Sequence, residues 1–239
     1  MSFNKFIKKI YKKGLKVFNQ QKKCIYLSFG ENCLTDRILE RHHIKSFSSP
    51  YSSGRSNIEY ILQIEKENFK SLLDKKYLYI DIVGDQRVVR NKKYICSNRY
   101  SESCMQDFEF THHNVLEDDT IRKIISRRCK VLKSFEKKRV YIFYHHRFCK
   151  CTDEEKLIAD LVELKELYEK KAKSVSVILF TQVIVDNYRD RKVVYENVNN
   201  IDKYMFYTLN VWEGSDDDIF WAKCDDDLIK IMIDDIKER

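Results

Sequence analysis

Residues 24–43 read CIYLSFGENCLTDRILERHH, and the order of residue types along them sets the fold class. Cys24–Phe29 reads as a buried strand, because its apolar run is short and β-favouring. Gly30 breaks the run, and Glu31–His42 reads as a helix. The rest of the chain repeats this alternation. Helices are expected over Ser56–Leu73, Asp118–Phe135, Thr152–Lys171 and Asp225–Lys237. Strands are expected at Tyr77–Val83, Arg139–Tyr144, Val175–Phe180 and Tyr204–Val211. Ser56 with Glu59, and Thr152 with Glu155, have the spacing of capping boxes. Strand–helix alternation predicts a layered α/β fold with a mainly parallel sheet flanked by helices, preceded by an N-terminal amphipathic helix.

Upstream of this body the composition changes. Residues 1–23 hold eight lysines and no acid, whereas the remaining 216 residues hold 37 basic and 37 acidic side chains. The formal charge of +8 therefore belongs to the arm, and a nucleic-acid-binding surface spread over the body is disfavoured. Two units are expected: a basic helical arm over residues 1–23 and a single α/β domain over 24–239. Phe3, Phe6, Ile7, Ile10, Tyr11, Leu15 and Phe18 fall on one helical stripe. Lys5, Lys8, Lys9, Lys12, Lys13 and Lys16 lie mostly opposite. Such a helix suits an anionic membrane surface or an acidic protein partner; the alternative is a helix packed on the body with its lysines solvated.

With 43% hydrophobic and 13% aromatic residues, the chain can bury a sizeable core. No apolar run reaches the ~18–20 residues needed to span a bilayer, and the arm is too interrupted by lysine for a secretory signal. The expected location is cytoplasmic, peripheral at the inner membrane face. The eight cysteines include no C-x-x-C pair, and free thiols are expected.

Chemistry concentrates where the strand meets the helix. Cys33 falls at the first turn of the helix that follows Gly30. Helix N–H groups and the helix dipole stabilise a thiolate there and can hold an oxyanion. Ser28, Gly30 and Asn32 line the same turn as candidate substrate-side groups. His112-His113, at a later strand-to-helix edge, could supply a base only if the two loops converge. His145-His146-Arg147-Phe148-Cys149-Lys150-Cys151 follows a strand; its residues could join the Cys33 cleft, ligate a soft metal or serve only as loop. The spacing matches no standard zinc site, and neither a metal nor another cofactor is expected. Arg87, Arg90, Arg127 and Arg128 could bind a phosphate or carboxylate, as a nucleotide-sugar or polysaccharide substrate would require. Asp216–Asp218 and Asp225–Asp227 precede apolar helical runs and read as helix N-terminal acids. There is no P-loop, G-x-G-x-x-G or G-x-S-x-G motif.

The stretch S-F-G-E-N-C, with Arg41-His42-His43-Ile44 and Ser49-Pro50-Tyr51, resembles the start of a bacterial family of papain-like cysteine peptidases. Members of that family are often met near surface-polysaccharide genes. The family pattern runs S-L-G-x-x-C, a helix, a P-F-D-W-like element, an H-D pair and a helix with an R-R pair. Here His113-Asn114 aligns with H-D, Arg127-Arg128 with R-R, and Val140–Tyr144 with the strand that follows. Pro50-Tyr51-Ser52-Ser53 stands at the P-F-D-W element, without its aspartate and tryptophan. The resemblance implies Cys33 as nucleophile and His113 as general base; His112 and His145 stay further catalytic candidates on their own positions in the sequence. It also implies a thiol-dependent hydrolase or acyltransferase acting in cell-surface polysaccharide metabolism. Two other readings stay open: a sugar- or phosphoryl-group transferase with an arginine site, and a non-enzymatic membrane adaptor for a polysaccharide synthase.

Overall fold

The computed structural model describes residues 23–52, 54–96, 107–147, 152–212 and 222–239. The expected N-terminal helix, Phe148–Cys151 and Asp216–Asp218 lie outside these residues. The body is α/β, with a mainly parallel five-stranded sheet flanked by helices. Its strands are β1 (Cys24–Gly30), β5 (Phe135–His145), β6 (Ala172–Ile184), β7 (Lys192–Val198) and β8 (Ile201–Thr208), in the order β1-β5-β6-β8-β7. The first four neighbours run parallel, and β7 closes the edge antiparallel to β8. A second, antiparallel sheet joins β2 (Leu78–Val83), β3 (Gln86–Asn91) and β4 (Phe108–Phe110).

Helices lie on both faces because β5 and β6 are apolar on both. On one side Ile25, Leu27, Phe29, Val140, Ile142, Val177 and Leu179 pack against α2 (Ile58–Lys66), α3 (Asp119–Val131), α4 (Glu154–Glu169) and the small sheet. On the other, Phe143, Ile178, Phe180, Tyr204 and Phe206 meet α1 (Leu34–Arg41) and α5 (Asp226–Glu238). The free edge of β1 is covered by residues 46–52. Tyr26 N–H donates to Ser46 Oγ at 2.9 Å, and Ser49 Oγ donates to the Ser28 carbonyl at 3.5 Å.

Helix limits depart from the sequence expectation where side chains take other work. α2 stops at Lys66, and Asn68 and Phe69 adopt left-handed φ of 55° and 65°. Asn57, not Ser56, caps α2 by accepting the Tyr60 N–H at 3.1 Å. Asp153, not Thr152, caps α4 by accepting the Lys156 N–H at 3.0 Å. Asp225 precedes α5 but does not cap it: its buried carboxylate takes Trp212 Nε1–H at 2.8 Å and Arg191 at 2.9 Å. Among the described residues no helix is long and apolar enough to cross a membrane.

Candidate active site

The parallel strands end together at one edge, and β1 turns there through Gly30. Its φ is +138°, and a Cβ at this position would lie 2.8 Å from the His145 carbonyl oxygen, so only glycine fits. Asn32 Oδ1 accepts the Leu34 N–H at 3.0 Å, and the Arg37 N–H donates to the Cys33 carbonyl at 3.0 Å to open α1. Cys33 is the N-cap residue, with φ −80° and ψ 2°; it is half-buried, and its thiol does not cap the helix. Two other thiols are poor nucleophiles. Burial, then the Glu65 charge, pushes Cys129 up to about 12, and burial, then Asp225, pushes Cys224 up to about 11.

Pairing of Gly30 with His145 puts the next residues of both strands side by side. Glu31 and His146 therefore meet: Oε1 lies 3.1 Å from His146 Nδ1, both side chains being buried. The approach lies off the ideal hydrogen-bond line, so it is an electrostatic contact first. Arg147 Nε lies 3.5 Å from Glu31 Oε2, and His146 Nε2 is 3.3 Å from Thr152 Oγ1. A carboxylate at Nδ1 favours the proton on that nitrogen and leaves Nε2 as the basic one.

His145 points to the opposite face, as successive strand residues do. Its ring sits 5.1 Å from Phe180 and 6.1 Å from Trp212, and neither nitrogen has a hydrogen-bond partner among the described residues. Burial, then the charges of Arg147 and His146, lowers its pKa to about 3.

His112 and His113 lie in the turn after β4, His112 exposed and His113 half-buried. His113 Nε2 faces Arg128 Nη1 at 3.5 Å. A guanidinium only donates, so this nitrogen must be the acceptor. Burial, then the Arg128 and His112 charges, lowers His113 to about 4. Asn114 is bound to Glu117 instead, donating through Nδ2 at 2.7 Å and accepting the Glu117 N–H at 3.0 Å.

Asp36, in the first turn of α1, ties several of these segments together. It accepts from Ser28 Oγ at 2.8 Å and from Lys45 Nζ at 2.6 Å, and its charge acts on Arg128. Ser28 Oγ also lies 3.0 Å from Ser52 Oγ. The remaining arginines do not converge: Arg87 pairs with exposed Glu117 at 3.2 Å, and Arg127 bonds the Lys123 carbonyl at 3.3 Å. Arg90 is taken up by buried Glu109 and by Asp81, each at 3.1 Å. Glu31 and Asp36 were not singled out from the sequence, whereas His146 was, with His145, a candidate to join the Cys33 cleft. The usable signal for the two carboxylates was their flanking of Cys33 within three residues.

A cysteine at the head of a helix and a buried Glu–His pair, both at the C-terminal edge of a parallel sheet, define a candidate thiol site in an α/β protein. The chain belongs to the family described as putative papain-like cysteine peptidase (DUF1796), which it matches over residues 24–189, more than half its length. Comparison with curated proteins and with solved structures gives no match.

Proposed function

We propose that the protein is a thiol-dependent acyl hydrolase or acyltransferase, with Cys33 as nucleophile, His146 as general base and Glu31 as its positioning carboxylate. The observation that carries this reading is the 3.1 Å Glu31–His146 contact, set by the β1/β5 register next to the helix that Cys33 opens. Cys33 Sγ would attack an ester or amide carbonyl carbon while its proton passes to His146 Nε2. Collapse of the tetrahedral oxyanion breaks the carbonyl–leaving-group bond, and the leaving alcohol or amine takes that proton. Water then cleaves the thioester in hydrolysis, and a hydroxyl does so in transfer. His113 suits the base role less well, because its Nε2 faces a cation and its pKa lies near 4.

The substrate class we propose is an acylated precursor of cell-surface polysaccharide, on the strength of the family resemblance. The lysine-rich arm would hold the enzyme at the cytoplasmic face of an anionic membrane. Site-resolved alkylation at neutral pH tests the chemistry. Cys33 should react faster than Cys224. His146→Ala should slow Cys33 by about 10²-fold or more, the usual weight of a general base, and Glu31→Gln by a smaller factor, with His113→Ala near wild type. If Cys33 reacts no faster than Cys224, the nucleophile assignment is wrong.

A further inference from the structure

The opposite edge of the sheet, where the parallel strands begin, carries a charge pattern that the thiol site does not use. Residues 130–139 (KVLKSFEKKR) and 169–174 (EKKAKS) hold eight lysines and arginines against two acids, in a body whose overall charge is zero. The fold brings the two stretches together. Lys133, Ser134, Glu136, Lys137, Lys170 and Lys173 line one open groove of about 840 Å³ between the start of β5 and the start of β6. Lys133, Lys137, Lys170 and Lys173 are exposed, and none pairs with an acid among the described residues. Lys171 is drawn inward, to Glu65 at 2.8 Å.

Two further observations bear on this edge. Lys137 has a left-handed φ of 64° within the register break between Phe135 and Arg139. A non-glycine residue there carries strain, and the bulge holds its ammonium out to solvent. The Arg139 N–H donates to the Lys23 carbonyl at 3.0 Å, so the lysine-rich arm joins the body at this same edge.

We infer that the N-terminal edge of the sheet is a docking face for an anionic lipid bilayer, continuous with the arm and directed away from the thiol site. A wide, open array of exposed lysines matches a charged plane better than a small ligand. β1 has seven residues, so the Cys33 edge stands about 20 Å above the docked edge. The substrate then reaches Cys33 from the aqueous side. This extends the membrane placement proposed above from the arm to the body, and does not depend on the thiol chemistry.

The test uses the full chain and sedimentation with vesicles of phosphatidylcholine alone or with 30% phosphatidylglycerol, in about 0.1 M salt so that screening stays moderate. One variant carries Lys133→Gln, Lys137→Gln, Lys170→Gln and Lys173→Gln; a second carries Lys8→Gln, Lys9→Gln, Lys12→Gln and Lys13→Gln in the arm. The edge variant should keep the wild-type unfolding temperature and Cys33 labelling rate, yet lose about tenfold or more in partitioning onto anionic vesicles. Neutral vesicles should bind none of the three proteins. Wild-type partitioning of the edge variant overturns the inference; if the arm variant alone is impaired, the arm reading survives without it. Equal binding to neutral vesicles overturns it as well, and so does displacement of vesicles by polyphosphate with no change in the edge variant.

Discussion

Neighbouring side chains at the end of β5 show how one residue step changes chemistry. His146 meets a carboxylate, whereas His145 is sealed between Phe180 and Trp212 with no partner for its nitrogens among the described residues. An imidazole held this way must stay neutral, which fixes the sign of its pH effect. In the unfolded chain a histidine titrates near 6.5; in the folded protein His145 does so at about 3. Above pH 6.5 both states are neutral and the group is silent. Below it the unfolded chain takes up a proton that the folded one refuses, so stability falls as pH drops from 6.5 toward 3. The slope is about 1.4 kcal/mol per pH unit, and His113, lowered to about 4, adds to it with the same sign. His145→Leu should therefore lose about 2 kcal/mol less stability than wild type between pH 7 and pH 5, read from denaturant midpoints. Identical acid losses in the two proteins would show that His145 is already charged or hydrated in the fold.

The elements that were legible from sequence share one physical property. Cys24–Phe29, Arg139–Tyr144 and Val175–Phe180 are near-continuous apolar runs, because strands under helices on both faces bury both sets of side chains. β3 (QRVVRN), β7 (KVVYENV) and the three-residue β4 (FEF) were missed, since small sheets and edge strands mix charge with apolar residues. The caps moved by one residue for a related reason. Thr152 has the sequence of a cap, but its hydroxyl lies at His146, and Asp153 takes over the helix. Cys33 could be found because strand, glycine and helix are consecutive. The Glu31–His146 pair could not, because it exists only through the pairing of Gly30 with His145, 115 positions apart. That pairing makes Gly30 testable as an element-level hinge of the site. Gly30→Ala should cost about 1–3 kcal/mol in backbone strain, push the end of β5 aside and slow Cys33 alkylation. Gly84, at φ +60° with nothing within 4 Å of a Cβ, is the control. Gly84→Ala should cost about 1–2 kcal/mol and leave the alkylation rate alone. Equal effects on labelling would sever the turn from the chemistry.

Across the whole molecule, the two edges of the parallel sheet are unlike in kind. One gathers Cys33, Glu31, His146 and the Asp36 network; the other gathers unpaired lysines and the root of the cationic arm. A net charge of zero over the body hides this polarity, because the surplus at one edge is balanced elsewhere. On the proposed bilayer docking, orientation would follow from this dipolar arrangement, and it can be read with the thiol itself as one reporter. In the full chain, Ser134→Cys places a second reporter in the lysine groove. With saturating anionic vesicles, a membrane-impermeant maleimide followed by mass spectrometry should label position 134 at least tenfold more slowly, and Cys33 at its solution rate. Raising the salt from about 0.1 M to 1 M shortens the screening length from about 10 Å to 3 Å, and should restore labelling at position 134. The reverse pattern, Cys33 shielded and position 134 open, would turn the molecule over. The acyl donor would then lie in the bilayer, and the lysine edge would face soluble anions on the aqueous side.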